Sequence, residues 1–95
     1  MIRHVILFTL KPDVSDAQLK DWEAAIRAAR FPGLREYTFG RDLGLRPGNM
    51  SAAATFDFED EAAYRAFDVD PEHERIRREV SGPLVERIER VQYRV

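Results

Sequence analysis

The chain has 95 residues, 34% of them charged, a formal net charge of −2 and no cysteine. A single domain of that length lies near the lower end of what folds alone, and interspersed charges without a basic surplus give no electrostatic case for nucleic acid or an anionic membrane. Without a thiol there is neither a disulfide nor a thiolate metal site, which fits a cytoplasmic setting.

The opening segment IRHVILFTL is β-branched and aromatic and about as long as a strand. Its apolar run of about seven residues lacks a small-residue cleavage site, so it reads as a strand rather than a leader. Nothing in the chain reaches the roughly 20 apolar residues of a membrane span. Ile2, His4, Ile6 and Phe8 point to one side, and Val5, Leu7 and Thr9 to the other. A strand apolar on both faces is covered on both faces.

SDAQLKDWEAAIRAARFPG carries helix signals at both ends. Ser15 and Gln18 have capping-box spacing, and Pro32-Gly33 is a stop. Leu19, Trp22, Ile26 and Ala29 recur at intervals of three and four as a core-facing stripe. LREYTFGRDLGL is expected to be a second strand, running into a GLRPGN loop. MSAAATFDF reads as a third strand, with Phe56 and Phe58 on one face and small side chains that admit close packing.

EDEAAYRAFDV is a short helix. Asp70 then caps a second one with Pro71 at its first position, and EHERIRREV is expected to run as one helix to Ser81-Gly82-Pro83. The closing VERIERVQYRV alternates, with Val91, Tyr93 and Val95 opposite Arg90, Gln92 and Arg94.

The order β-α-β-β-α-(α)-β is that of an α+β, ferredoxin-like split βαβ protomer, a four-stranded antiparallel sheet with helices on one face. Helices cover one side only. Val5, Leu7, Val91 and Tyr93 on the other side favour a homodimer joined sheet to sheet, since apolar burial brings about 25 cal/mol per Å². The alternative is a monomer with an exposed apolar sheet.

Three segments together resemble the stress-responsive dimeric α/β-barrel (Dabb) family: MIRHVILFTLKPDVSDAQ, FPGLREYTFGRDL, and the tail F-x-x-DPEHERI…GPL…V-Q-Y. The resemblance runs nearly end to end, so residues 1–95 read as one such domain. It implies a dimeric α/β barrel with a pocket in each protomer between helices and sheet. The residues expected around that pocket are Ile6, Phe8, Trp22, Ile26, Tyr64, Phe67 and Ile76. Trp22 and Ile26 read first as core, although a core residue can also form a pocket wall.

Some members of the family act as cofactor-free polyketide cyclases through a histidine and a tyrosine. The resemblance makes His73 the candidate base and His4 a second pocket histidine. The family's tyrosine falls on Phe67 and its first HPxH histidine on Asp70. Both are departures, and the first removes a hydroxyl that would polarise a carbonyl. Tyr64 lies one helical turn before Phe67.

The residues alone allow two readings of His73. At the third position of its helix, the positive end of the helix dipole favours a neutral imidazole able to accept a proton. Equally, a histidine on the same face as Ile76 and Val80 can be a buried residue satisfied by one backbone carbonyl. His4 is more often a structural hydrogen bonder than a catalyst in such a place. Two histidines without suitably spaced carboxylates make no metal site, RPGN lacks the spacing and lysine of a phosphate loop, and no serine nucleophile motif is present. The reading is therefore a small barrel binding a hydrophobic, polyketide-like or aromatic ligand without a cofactor. The alternatives are a cofactor-independent cyclase-like enzyme with His73 as base, and a cofactor-free monooxygenase of the related antibiotic-biosynthesis barrels.

Overall fold

In the computed structural model, which describes residues 1–95, the elements are β1 (Ile2–Leu10), α1 (Asp16–Ala29), β2 (Leu34–Arg41), β3 (Ala52–Phe58), α2 (Glu61–Asp68), α3 (Pro71–Ile76), a π-helical turn (Arg77–Ser81) and β4 (Val85–Arg94). The strands form one antiparallel sheet in the order β2-β3-β1-β4. This is the ferredoxin-like α+β fold that the alternating patterns predict.

Local chemistry sets the element ends. Ser15 Oγ accepts from the Gln18 N–H at 3.2 Å while Gln18 Oε1 accepts from the Ser15 N–H at 2.8 Å, a reciprocal capping box that starts α1. The helix closes at Arg30 in the left-handed region (φ 50°), and Gly33 (φ 78°) completes the turn into β2. Leu19, Trp22 and Ile26 form the buried stripe. Asp60 caps α2 through the Ala63 N–H at 2.8 Å. Asp70 caps α3 by accepting from the Glu72 N–H at 2.8 Å and the His73 N–H at 3.3 Å.

The core lies between the helices and one face of the sheet. Phe8, Phe58 and Ile76 are fully buried at its centre, each contributing about 1.5–3 kcal/mol on transfer from water. Ala52 and Ala54 are buried opposite Phe8 and Ile6 of β1, in one core cluster with Trp22.

Two expectations need correction. The second strand does not continue through Leu45. It ends at Arg41 because the Asp42 carboxylate accepts from the Gly44 N–H and the Asn49 side-chain amide, both at 2.9 Å, turning the chain instead. The last helix is not continuous to Val80 either. After Ile76 it widens into the π turn, closed by the Gly82 N–H donating to the Arg77 carbonyl at 2.8 Å. A Cβ at residue 82 would collide with that carbonyl, so glycine is what lets the turn close.

The face of the sheet away from the helices remains open. Leu7 (41%), Val91 (51%) and Tyr93 (46%) are exposed there. Beside them Arg3 grips the buried Asp57 carboxylate with two hydrogen bonds of 2.8 and 2.9 Å. The bidentate guanidinium holds the Asp57 carboxyl below the usual carboxylate range.

Candidate functional site

The sheet register fixes what surrounds His4. Cross-strand partners share a face, and β1 pairs with β4 as His4 with Gln92, Ile6 with Arg90 and Phe8 with Ile88. Arg90 and Gln92 therefore lie on the helix side of the edge strand, in one row with Ile88. The Gln92 side-chain amide donates to His4 Nδ1 at 2.9 Å, which puts the proton of the neutral His4 ring on Nε2.

α2 and α3 bring the second histidine over this row. His73 Nδ1 lies 2.9 Å from the Phe67 carbonyl oxygen, and because a carbonyl only accepts, Nδ1 carries the proton. The neutral ring then presents its lone pair at Nε2. The His73 ring is stacked on Phe67 with centroids 3.8 Å apart, and Phe31 meets both rings edge-on at 4.8 and 5.7 Å. Phe67 also lies 6.0 Å from His4, and Tyr64 5.2 Å from His4. His4, Tyr64, Phe67 and His73 thus form one connected ring cluster.

Both imidazoles are held neutral. Burial is the largest cause for His4, whose pKa falls to about 4, and His73 once it is protonated, with the cations Arg90 and Arg77, lowers it further. Burial is also the largest cause of the lowering at His73, opposed by its hydrogen bond to the Phe67 carbonyl. Asp68 and Asp70 raise the His73 pKa, while Arg77 lowers it. The flanking carboxylates are engaged elsewhere: Glu72 by Arg75 and Glu74 by Arg77. Tyr64 is raised, first by burial and then by Asp68.

The expected pocket residues divide. Ile6, Phe8, Trp22, Ile26, Phe67 and Ile76 pack on one another as core, and the Trp22 ring lies against Phe8 at 4.7 Å rather than against either histidine. Tyr64 opens instead onto a surface concavity of about 480 Å³ that it shares with Gln92. A second concavity, of about 300 Å³, runs along the same strand and is lined by Trp22, Arg77, Ile88 and Arg90. Neither imidazole lines either opening. His73 is half-buried and His4 is 6% exposed.

Four residues around the cluster escape sequence reasoning. Gln92 and Arg90 belong to a mixed-charge alternation that reads as solvated surface. Asp68 and Arg77 come together only in space, where Arg77 Nη2 donates to the Asp68 carbonyl at 2.6 Å and to Glu74 Oε2 at 3.0 Å. Arg77 Nε is buried without a partner, an arrangement that costs on the order of 1–3 kcal/mol. The parity of the closing strand contained a signal for Arg90 and Gln92, since it puts them on the side opposite Val91, Tyr93 and Val95. No group of three histidine, cysteine or carboxylate side chains is arranged to hold a metal ion, and no helix is long and apolar enough to cross a membrane.

Solved structures share this frame. A dimeric ferredoxin-like protein of unknown function from Thermobifida fusca is 31% identical, with a TM-score of 0.85 over 99% of this chain and 90% of that one. A hydroxynitrile lyase from Passiflora edulis is 23% identical, with a TM-score of 0.85 over 99% and 92%. The cofactor-independent oxygenase SnoaB from Streptomyces nogalater is 22% identical, with a TM-score of 0.76 over 99% and 91%. No curated protein matches. The family model described as the stress responsive A/B barrel domain matches residues 2–95, and the chain belongs to that family.

Proposed function

We propose that the protein is a homodimer that binds a small, partly apolar carbonyl compound beside the ring cluster of His4, Tyr64, Phe67 and His73, and that His73 takes a proton from it without a cofactor. The observation that carries this reading is that His73 is only half-buried, with Nδ1 bonded to the Phe67 carbonyl and Nε2 free of any partner in the chain. That hydrogen bond holds the ring in one tautomer and leaves Nε2 as the acceptor, while burial keeps the imidazole neutral. In the step itself, Nε2 takes the proton from the carbon beside the carbonyl. The C–H electron pair becomes the enolate double bond, and the carbonyl oxygen takes the charge. Return of that proton regenerates the neutral ring.

Dimerisation through Val5, Leu7, Val91 and Tyr93 is supported by the exposed apolar sheet face and by the dimeric state of the similar Thermobifida protein. Lack of cysteine supports a cytoplasmic setting. That a lyase and a cofactor-independent oxygenase share the fold supports chemistry within such a frame.

A second reading, ligand binding without turnover, is favoured by Phe67, which offers no hydroxyl to the enolate oxygen. Deuterium incorporation at C2 of ethyl benzoylacetate in D2O separates the two. The proposal expects protein-dependent acceleration that His73→Ala abolishes. Acceleration that survives His73→Ala, or none at all, contradicts His73 as the base.

A further inference from the structure

We propose that the concavity between the π turn and β4 is an anion seat, in which Arg90 and Arg77 receive the carboxylate of an apolar monocarboxylic acid. The inference goes beyond the proposed function: neither imidazole lines this concavity, which runs along the strand that also carries Gln92.

Charge is the first argument. Arg77, Arg87 and Arg90 line this opening against the single carboxylate of Glu86. Arg87 is paired with Glu89, and Arg94 farther along the strand is paired with Glu61, whereas Arg90 between them makes no ion pair. Its register opposite Ile6 puts it on the helix side of the sheet, beside the row that holds His4. An exposed, unpaired guanidinium there is a fork suited to two carboxylate oxygens.

Arg77 supplies the second argument. Its Nη2 is held by the Asp68 carbonyl and the Glu74 carboxylate, yet Nε on the same group is buried with no acceptor. A buried donor left over by the fold calls for an acceptor that the chain does not supply. Arg77 is also the first residue of the π turn, closed through Gly82, and such wide turns concentrate at functional sites.

The remaining lining sets the rest of the ligand. Trp22, Val85 and Ile88 give the opening an apolar wall next to its cations, so a carboxylate on a hydrocarbon or aryl body satisfies both halves. Arg77 lowers the pKa of both imidazoles and Arg90 that of His4.

Trp22 is the sole tryptophan and lines the opening, so its fluorescence reports occupancy directly. Titration with octanoate and with its neutral counterpart 1-octanol tests the seat. Octanoate is expected to bind about tenfold more tightly than 1-octanol. Arg90→Gln should weaken octanoate about tenfold, or about 1.4 kcal/mol, while leaving 1-octanol unchanged. Arg77→Gln should act in the same direction. Arg94→Gln, on the same strand row, should leave both ligands as they are. Equal binding of the acid and the alcohol, no binding, or an Arg90→Gln variant that keeps full octanoate affinity would overturn the seat. His73→Ala should preserve octanoate binding. Absence of proton exchange in the unsubstituted protein with octanoate binding intact refutes the base alone, and exchange without selective octanoate binding refutes the seat alone.

Discussion

His73 is tied to Phe67 twice: its ring stacks on the Phe67 ring at 3.8 Å, and its Nδ1 donates to the Phe67 carbonyl at 2.9 Å. One residue thus sets both the plane and the tautomer of the candidate base. The position where the family resemblance expects a tyrosine holds the imidazole without offering it a hydroxyl.

Phe67→Tyr should accordingly raise any proton-exchange activity in a His73-dependent way, because a phenol there can donate to the developing enolate oxygen. Exchange rates of Phe67→Tyr and of Phe67→Tyr with His73→Ala, on ethyl benzoylacetate, check this. Phe67 is 3% exposed, so the added hydroxyl needs a partner when buried. A variant that is folded but no faster than the original would show that position 67 is not where the oxygen is handled.

Stability should fall in acid through the two histidines. The folded pKa of His4 lies near 4 and that of His73 is also lowered, against an unfolded value of about 6.5. The unfolded chain therefore binds more protons in that window, so the stabilisation is complete above about pH 6.5 and is lost as pH falls toward 4. Urea unfolding at stepped pH should show a slope of at most about 1.4 kcal/mol per pH unit for each titrating ring. His4→Gln should make the slope shallower. A profile unchanged by that substitution would show that His4 titrates normally.

Asp70→Ala removes the acceptor for the Glu72 and His73 N–H groups. It should cost about 1 kcal/mol, lowering the urea midpoint at an unchanged slope. An unaltered midpoint would mean that the cap contributes nothing to stability.

Leu7→Asp introduces a charge at the centre of the exposed sheet face, beside Val5 and Val91. In a dimer joined through that face the carboxylate would be buried without a partner. Sedimentation at micromolar concentration should find the original protein dimeric and the variant monomeric or unfolded. A dimeric Leu7→Asp protein would place the interface elsewhere.

Much of this was legible from periodicity and punctuation. The capping box at Ser15, the Asp70-Pro71 restart and the alternation of β1 each rest on local chemistry, and each is present in the fold. The errors arose where a side chain competed with a backbone pattern. Asp42 turned the chain that Leu43 and Leu45 would have continued, and Gly82 permitted a wide turn that a helical stripe does not reveal. The site was only half legible for a related reason. His73 and Phe67 are near in sequence, but Gln92 reaches His4 across 88 residues through strand register. Arg77 meets Asp68 because a helix break folds one toward the other.

The central claim is that His73 is a neutral base with its proton on Nδ1 and its lone pair on Nε2. Nitrogen-15 correlation spectra of the histidine side chains, recorded across pH 4 to 8, test it most directly. The account predicts the Nδ1–H tautomer for His73 at pH 7 and a titration midpoint below that of a free histidine. A spectrum showing the Nε2–H tautomer, or an imidazolium at pH 7, would contradict it.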